Sequence, residues 1–304
     1  MVVGAPQETR RAVTSLAVLG AQGMLGQDVL KVLEDYGPTS FSRSELDITD
    51  RAAVTEALRG FDVVINCAAY TQVDKAESSP ELAYAVNADG PRYIAQTLAG
   101  TNAKLIHIST DYVFDGTAND PYPEDYATSP ISVYGASKQQ GEIAIMEENE
   151  GNSAIVRTSW LYGADGASFP KTILTAGLTR ETLDVVDDQY GQPTWTLDVA
   201  HHIRKLIDAD VPSGIFHATS AGQTTWFDFA QALFRLAGWD ENRVQRADSS
   251  SFQRPAARPS YSVLSHDNWA KHNIPSLRPW EEALDEAWEN FLHSIASAGV
   301  SPWG

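Results

Sequence analysis

Tyr134 and Lys138 stand four residues apart in Val133-Tyr-Gly-Ala-Ser-Lys138, a spacing that on a helix puts both side chains on one face. An ammonium beside a phenol favours the phenolate, so the pair predicts a tyrosine pKa lowered from ~10 towards working pH. Such a tyrosine trades a proton with an alcohol or a ketone oxygen. Ser109-Thr110-Asp111-Tyr112 ends an apolar run, and Thr110 is the hydroxyl expected to donate to a substrate carbonyl while Tyr134 protonates it. Ser109 is its possible helper through the backbone. His107, inside the same run, reads as a core histidine.

A second set of residues suits a phosphate-bearing cofactor. Gly20-Ala-Gln-Gly-Met-Leu-Gly26 lies between an apolar run and a helical pattern. Glycines there let the backbone reach a pyrophosphate at a helix N-terminus, with Gln22, Met24 and Leu25 between Gly20, Gly23 and Gly26. The next strand ends in Thr39-Ser-Phe-Ser-Arg-Ser44, where Ser42 and Arg43 suit a ribose 2′-phosphate and no carboxylate is present. NADPH is therefore expected, with NADH as the alternative. Asp47 and Ile48 are placed to hold the adenine edge. Asn66-Cys67-Ala68-Ala69 ends another strand in small residues that a flat cofactor could cross. Asn87, on an otherwise apolar helix face, either bridges strands, fixes a water or is solvated.

These residues need a scaffold, and the pattern of the first half supplies one. Strands are expected over 15–19, 62–66, 104–109 and 154–157. Helices are expected over 27–35, 52–58 and 82–98, and one carries Lys138. Alternation of this kind means α/β, a doubly wound parallel sheet of the Rossmann type. Residues 1–14 are expected to be a flexible extension and 15–159 the NADP-binding domain. Residues 160–304, rich in Trp, Pro and Thr, are expected to form mainly a smaller α/β substrate lobe, with some segments returning to the sheet. Helices are expected there over 226–237 and 280–292.

The chain of 304 residues carries 22 Lys+Arg against 40 Asp+Glu, a net charge of −18, which argues against a nucleic-acid partner. The one cysteine, Cys67, excludes an intrachain disulfide. No apolar stretch approaches the ~18 residues that a membrane span requires, and no signal peptide is evident, so a cytoplasmic protein with no membrane partner is expected.

Taken in order, 69–77, 109–116, 133–138, Arg157-Thr-Ser-Trp160 and Asp188-Gln-Tyr-Gly-Gln-Pro-Thr194 resemble the extended short-chain dehydrogenase/reductase superfamily. Within it they are most similar to the dTDP-4-dehydrorhamnose reductase family, over nearly the whole chain. That resemblance implies Thr110, Tyr134 and Lys138 as the catalytic set. It implies a dTDP-sugar substrate met by Thr71, Val73, Tyr112, Trp160 and Arg258, with Arg258 on its phosphates. The implied reaction is NADPH-dependent reduction of a C4 ketone in dTDP-rhamnose synthesis. Some members bind Mg²⁺ in a dimer; Asp28 matches one position, but Thr196-Leu-Asp198 offers no paired acidic cluster. No metal is therefore expected, and the chain is a monomer or a homodimer. The rival readings are a ketoreductase for another dTDP-4-keto-deoxysugar and a non-catalytic regulatory subunit of the methionine adenosyltransferase type. A dehydratase would need a second carboxylate where Tyr112 stands.

Overall fold

Leu16–Leu19 form β1, four apolar residues covered on both faces, as a strand inside a parallel sheet must be. The computed structural model describes Val13, residues 15–211 and residues 213–297, so the expected extension over 1–14 lies outside the described residues except for Val13. The chain continues through α1 (Met24–Val32), β2 (Thr39–Phe41), α2 (Arg51–Ala57) and β3 (Val63–Asn66). It then forms α3 (Val73–Ser78), α4 (Pro80–Tyr84), α5 (Gly90–Leu98), β4 (Lys104–Thr110), α6 (Val133–Asn149) and β5 (Ser153–Thr158). Next come β6 (Leu161–Tyr162), α7 (Phe169–Gly177), β7 (Leu183–Val186), β8 (Tyr190–Gly191) and β9 (Thr194–Trp195). After α8 (Thr196–Asp208), β10 (Gly214–His217) returns to the sheet. The strands stand in the order β10-β5-β4-β3-β1-β2, all parallel, with Val18 beside Ile65, Ile65 beside Ile106 and Ile106 beside Ala154.

Two cores cover the two sheet faces. On one, Leu16, Val18 and Ile65 meet Leu25 and Val29 of α1 and Val199, Ile203 and Leu206 of α8. On the other, Ala17 and Leu19 meet Val54 of α2, Ile94 of α5 and Ile145 of α6. A third core belongs to the smaller lobe, built with β11 (Thr224–Thr225), α9 (Trp226–Leu236), β12 (Val244–Ala247) and α11, which follows α10 (Asp267–Lys271) and spans Trp280–Ala287. There Leu174, Val185, Phe229, Leu233 and Leu284 pack together. Among the described residues no helix is long and apolar enough to cross a membrane.

Three expectations need correction. The first helix begins at Met24, not Gln27, because the turn closes early, with Gly23 N–H donating to the Gly20 carbonyl at 2.9 Å. The helix expected over 82–98 contains a wider turn over Ala85–Asp89, where the Asn87 amide turns inward. Finally, α7 and α8 were not anticipated. The first carries Pro170 in its opening turn, and the second starts directly from β9 with no glycine or proline break.

Candidate active site

The site is assembled where α6 presses on the carboxyl end of β4. Ser132 caps α6, its Oγ accepting from Gly135 N–H at 3.1 Å, and Glu77 of α3 accepts from Val133 N–H at 2.8 Å. Two glycines set how close the helix comes. A methyl group on Gly135 would stand 2.1 Å from the Tyr112 carbonyl oxygen, and one on Gly141 would stand 2.1 Å from that of Asn87. Asn87 is fully buried and bridges: its side chain accepts from Tyr70 N–H and donates to the Tyr70 carbonyl and Ser137 Oγ.

Tyr134 and Lys138 both face the sheet, but the expected tuning of one by the other is not found. Lys138 Nζ donates to the Ile108 carbonyl at 2.6 Å and stands 3.2 Å from His107 Nε2. Burial pushes the amine down to about 8, against Glu142 and Cys67, which raise it. Burial pushes the Tyr134 phenol up to about 12; the Thr110 hydroxyl lowers it and the Asp111 charge raises it. The lysine is therefore anchored to the β4 main chain, and the tyrosine is an acid that keeps its proton.

The Thr110 hydroxyl donates to Asp111 Oδ1 at 2.9 Å, accepts from Tyr112 N–H at 3.2 Å and stands beside the Tyr134 phenol. Asp111 is 1% exposed, and burial pushes it up to about 6 against the Ser262 and Thr110 hydroxyls, which lower it. Nothing in the sequence except its place in the 109–116 motif marked it. Tyr112 meets Tyr134 edge to face, ring centres 5.6 Å apart, and the Ser109 hydroxyl is buried without a partner.

The cofactor-binding set is partly gathered. Gly20 has φ +70°, and a methyl group there would lie 2.6 Å from Ala68 N, so the turn and the Cys67-Ala68 segment pack backbone to backbone. Gly23 caps α1 without any side-chain bond, and the first turn holds no acidic residue. Its N–H groups are thus available to a phosphate, with Gln22 and Gly23 exposed and Met24 half-buried above them. Leu25 and Gly26 are buried; Leu25 is a core side chain, so only its backbone can serve a ligand. Ser42 is buried and gives both its N–H and its hydroxyl to the Glu45 carboxylate, at 2.7 and 2.6 Å. Reading only as far as Ser44 missed that carboxylate. Arg43 is 77% exposed, 3.9 Å from Asp47, whose carboxylate accepts from Thr49 N–H and Oγ1. Ile48 is buried in the core, beneath Gly90. Burial pushes the Cys67 thiol up to about 12, which makes it inert, and Ala69 follows half-buried.

On the lobe side a cavity of about 660 Å³ is lined by Tyr112, Phe169, Arg180, Trp226, Arg254 and Arg258, among others. Arg258 is paired through both NH groups with Asp74, at 3.0 Å each, and Arg254 lies 3.7 Å from the same carboxylate. Asp74, within 69–77, is a partner of the cavity arginines that its motif did not single out. Thr71 is exposed and Val73 half-buried, and neither is on the cavity wall. Trp160 is not on the wall either. It stacks on Trp226 with ring centres 3.5 Å apart and holds φ 45°, a left-handed backbone that a bulky residue adopts only under constraint.

The two carboxylates weighed as metal ligands are engaged otherwise. Asp28 accepts from Thr196 Oγ1 at 2.6 Å, and Asp198 holds Arg278 through both oxygens. Among the described residues no group of three or more His, Cys, Asp or Glu could hold a metal ion.

With this geometry in place, comparison with known proteins is informative. A family model described as RmlD substrate binding domain matches residues 14–293. A dTDP-4-dehydrorhamnose reductase of Streptomyces griseus is 46% identical over 278 residues, covering 89% of this chain and 91% of that protein. A dTDP-4-keto-6-deoxy-D-glucose reductase of Streptomyces niveus is 43% identical over 274 residues, covering 89% and 95%. The crystal structure of a Bacillus anthracis dTDP-4-dehydrorhamnose reductase in complex with NADP superposes with a TM-score of 0.88 at 37% identity, covering 92% of this chain and all of that one. A match of this length, together with these identities, places the chain in the RmlD substrate binding domain family.

Proposed function

We propose that the protein reduces the C4 ketone of dTDP-4-dehydro-L-rhamnose with NADPH, giving dTDP-L-rhamnose. The observation that carries this reading is a proton-holding Tyr134 beside Thr110 at the end of β4, in a chain whose glycine turn leaves a helix N-terminus uncapped. The residues fit a dinucleotide: open N–H groups in the first turn of α1 from Met24 on, the close Gly20–Ala68 approach, and an exposed Arg43 for a 2′-phosphate. The solved Bacillus anthracis relative, in complex with NADP, supports that choice. Bound NADPH supplies the hydride; ketone, NADPH and one proton become alcohol and NADP⁺.

The chain's own residues do the rest. Tyr134 gives its proton to the forming alkoxide, a far stronger base than a phenolate at about 12, so the transfer runs downhill. Thr110, fixed by Asp111 and the Tyr112 N–H, steadies the phenol oxygen. Lys138, held on the Ile108 carbonyl, has hydrogens left for the cofactor's ribose. Arg258 and Arg254 face the substrate's phosphates, which compete with Asp74 for them. Residues 15–159 thus serve mainly the cofactor and 160–304 mainly the sugar nucleotide. The protein acts in the cytoplasm as a monomer or homodimer.

The Streptomyces niveus relative favours a second reading, in which the substrate is another dTDP-4-keto-6-deoxy sugar. One assay decides. NADPH and NADH are each supplied with dTDP-4-keto-L-rhamnose and with dTDP-4-keto-6-deoxy-D-glucose, and the products' C4 configuration is determined. Faster turnover of the D-gluco substrate would favour the second reading, and no turnover of either would defeat both.

A further inference from the structure

His107 belongs to none of the roles above, yet its hydrogen bonds leave it one proton arrangement. It is fully buried in β4, beside Asn66 of β3 in register. Asn66 Oδ1 accepts from Ala68 N–H at 3.1 Å, and a main-chain N–H can only donate, so the amide orientation is set. The amide nitrogen then lies 3.1 Å from His107 Nδ1. That nitrogen also only donates, so Nδ1 must accept, and the ring's proton stands on Nε2. A doubly protonated ring is excluded on the same ground, since Nδ1 must accept, and burial holds His107 well below the ordinary histidine range.

The consequence falls on the neighbour of Nε2, which is Lys138 Nζ at 3.2 Å. An ammonium has three donors and no acceptor, so N–H would face N–H. A neutral amine has one lone pair and two hydrogens. The lone pair receives Nε2–H, one hydrogen goes to the Ile108 carbonyl at 2.6 Å, and one remains.

We propose that His107 is a positioning residue that donates to Lys138 and holds it as a neutral amine in the cofactor-free protein. The charged and titratable groups facing that amine are Glu142 along α6, the Cys67 thiol at the end of β3, and His107 itself. Glu142 is already held by Arg157 through both oxygens, which weakens its pull on the amine's proton. Burial, against Glu142 and Cys67, brings Lys138 down to about 8, and the N–H of His107 aimed at Nζ favours the neutral amine further. The proposal rests on the reductase reading only in giving the remaining hydrogen a ligand to meet.

The test is nuclear magnetic resonance on cofactor-free protein labelled with ¹⁵N at histidine and lysine side chains, at pH 7.5. His107 is assigned by the signal lost in His107→Gln, or, where that variant does not fold, by the signal perturbed in Lys138→Met. The expected result is a neutral ring protonated on Nε2 and bare on Nδ1, with Lys138 Nζ titrating as an amine already neutral at this pH. A ring protonated on Nδ1, or a Lys138 ammonium at pH 7.5, overturns the proposal. In His107→Gln, whose side-chain oxygen can accept from an ammonium, the Lys138 midpoint should rise by at least about one pH unit; an unmoved midpoint also counts against it. A protein showing the Nε2–H ring but no reductase activity would sink the function proposed above and leave this inference intact.

Discussion

Tyr134, held near 12, is suited to giving a proton rather than taking one. Replacing it by Phe removes the acid but keeps the ring that Tyr112 packs against. Turnover should fall by about 10²-fold or more while NADPH affinity, followed by fluorescence titration, stays within a factor of a few; near-normal ketone reduction would dismiss the role. Asp111 offers a prediction on stability. Its folded pKa, about 6, exceeds its unfolded value of 3.8, so the folded state holds more protons between these limits and stability falls as pH rises through them. Asp111→Asn cannot ionise. Its unfolding free energy relative to the parent, from urea titrations, should therefore climb between pH 4 and 6 and level off above, with a plateau on the order of a few kcal/mol. A difference constant with pH would mean that the carboxylate is not penalised by burial.

At the scale of elements, α6 decides where the reactive side chains stand, and Gly141 decides where α6 stands. Gly141→Ala forces a methyl group into the Asn87 carbonyl, so the urea midpoint should drop by an amount equivalent to about 1–3 kcal/mol. An unchanged midpoint would show that the helix can shift freely. The strands were legible in the sequence because buried parallel strands are short continuous apolar runs, as in Leu16–Leu19 and Val63–Asn66. The glycine turn and the Tyr134 and Lys138 pair were legible because both are local in sequence. What escaped was non-local. Asp74 pairs with Arg258 across most of the chain, Glu45 takes the donors of Ser42, and Lys138 spends its hydrogen bonds on β4 rather than on Tyr134. Helix α8 was legible after all, since Val199, Ala200, Ile203, Leu206 and Ile207 recur at helical spacing, but attention to Thr196 and Asp198 as ligands obscured it.

Across the whole molecule the sheet is not the property of the first half. α8, β10 and Trp269 of α10 all come from beyond Ser159, and they fill the same core as β1 and α1. Arg204 of α8 adds polar ties, donating to the Val32 carbonyl and to Asp35. A fragment of residues 15–159 would keep the glycine turn, Thr110, Tyr134 and Lys138, yet leave Val18, Ile65 and Val29 without their cover. It should show no cooperative unfolding transition by circular dichroism and should associate in solution. A sharp transition with bound NADPH would prove the fragment a self-sufficient domain.

The return of α8 also sets an order on the protein's birth. As the polypeptide leaves the ribosome, β1 to β5 emerge first with one flank of the sheet covered by α1 alone, and the second helix of that flank follows only after β6 to β9 have been made. Synthesis must therefore pass through an interval in which a sticky half-covered sheet waits for the rest of that flank, and molecular chaperones would find their binding surface in that interval.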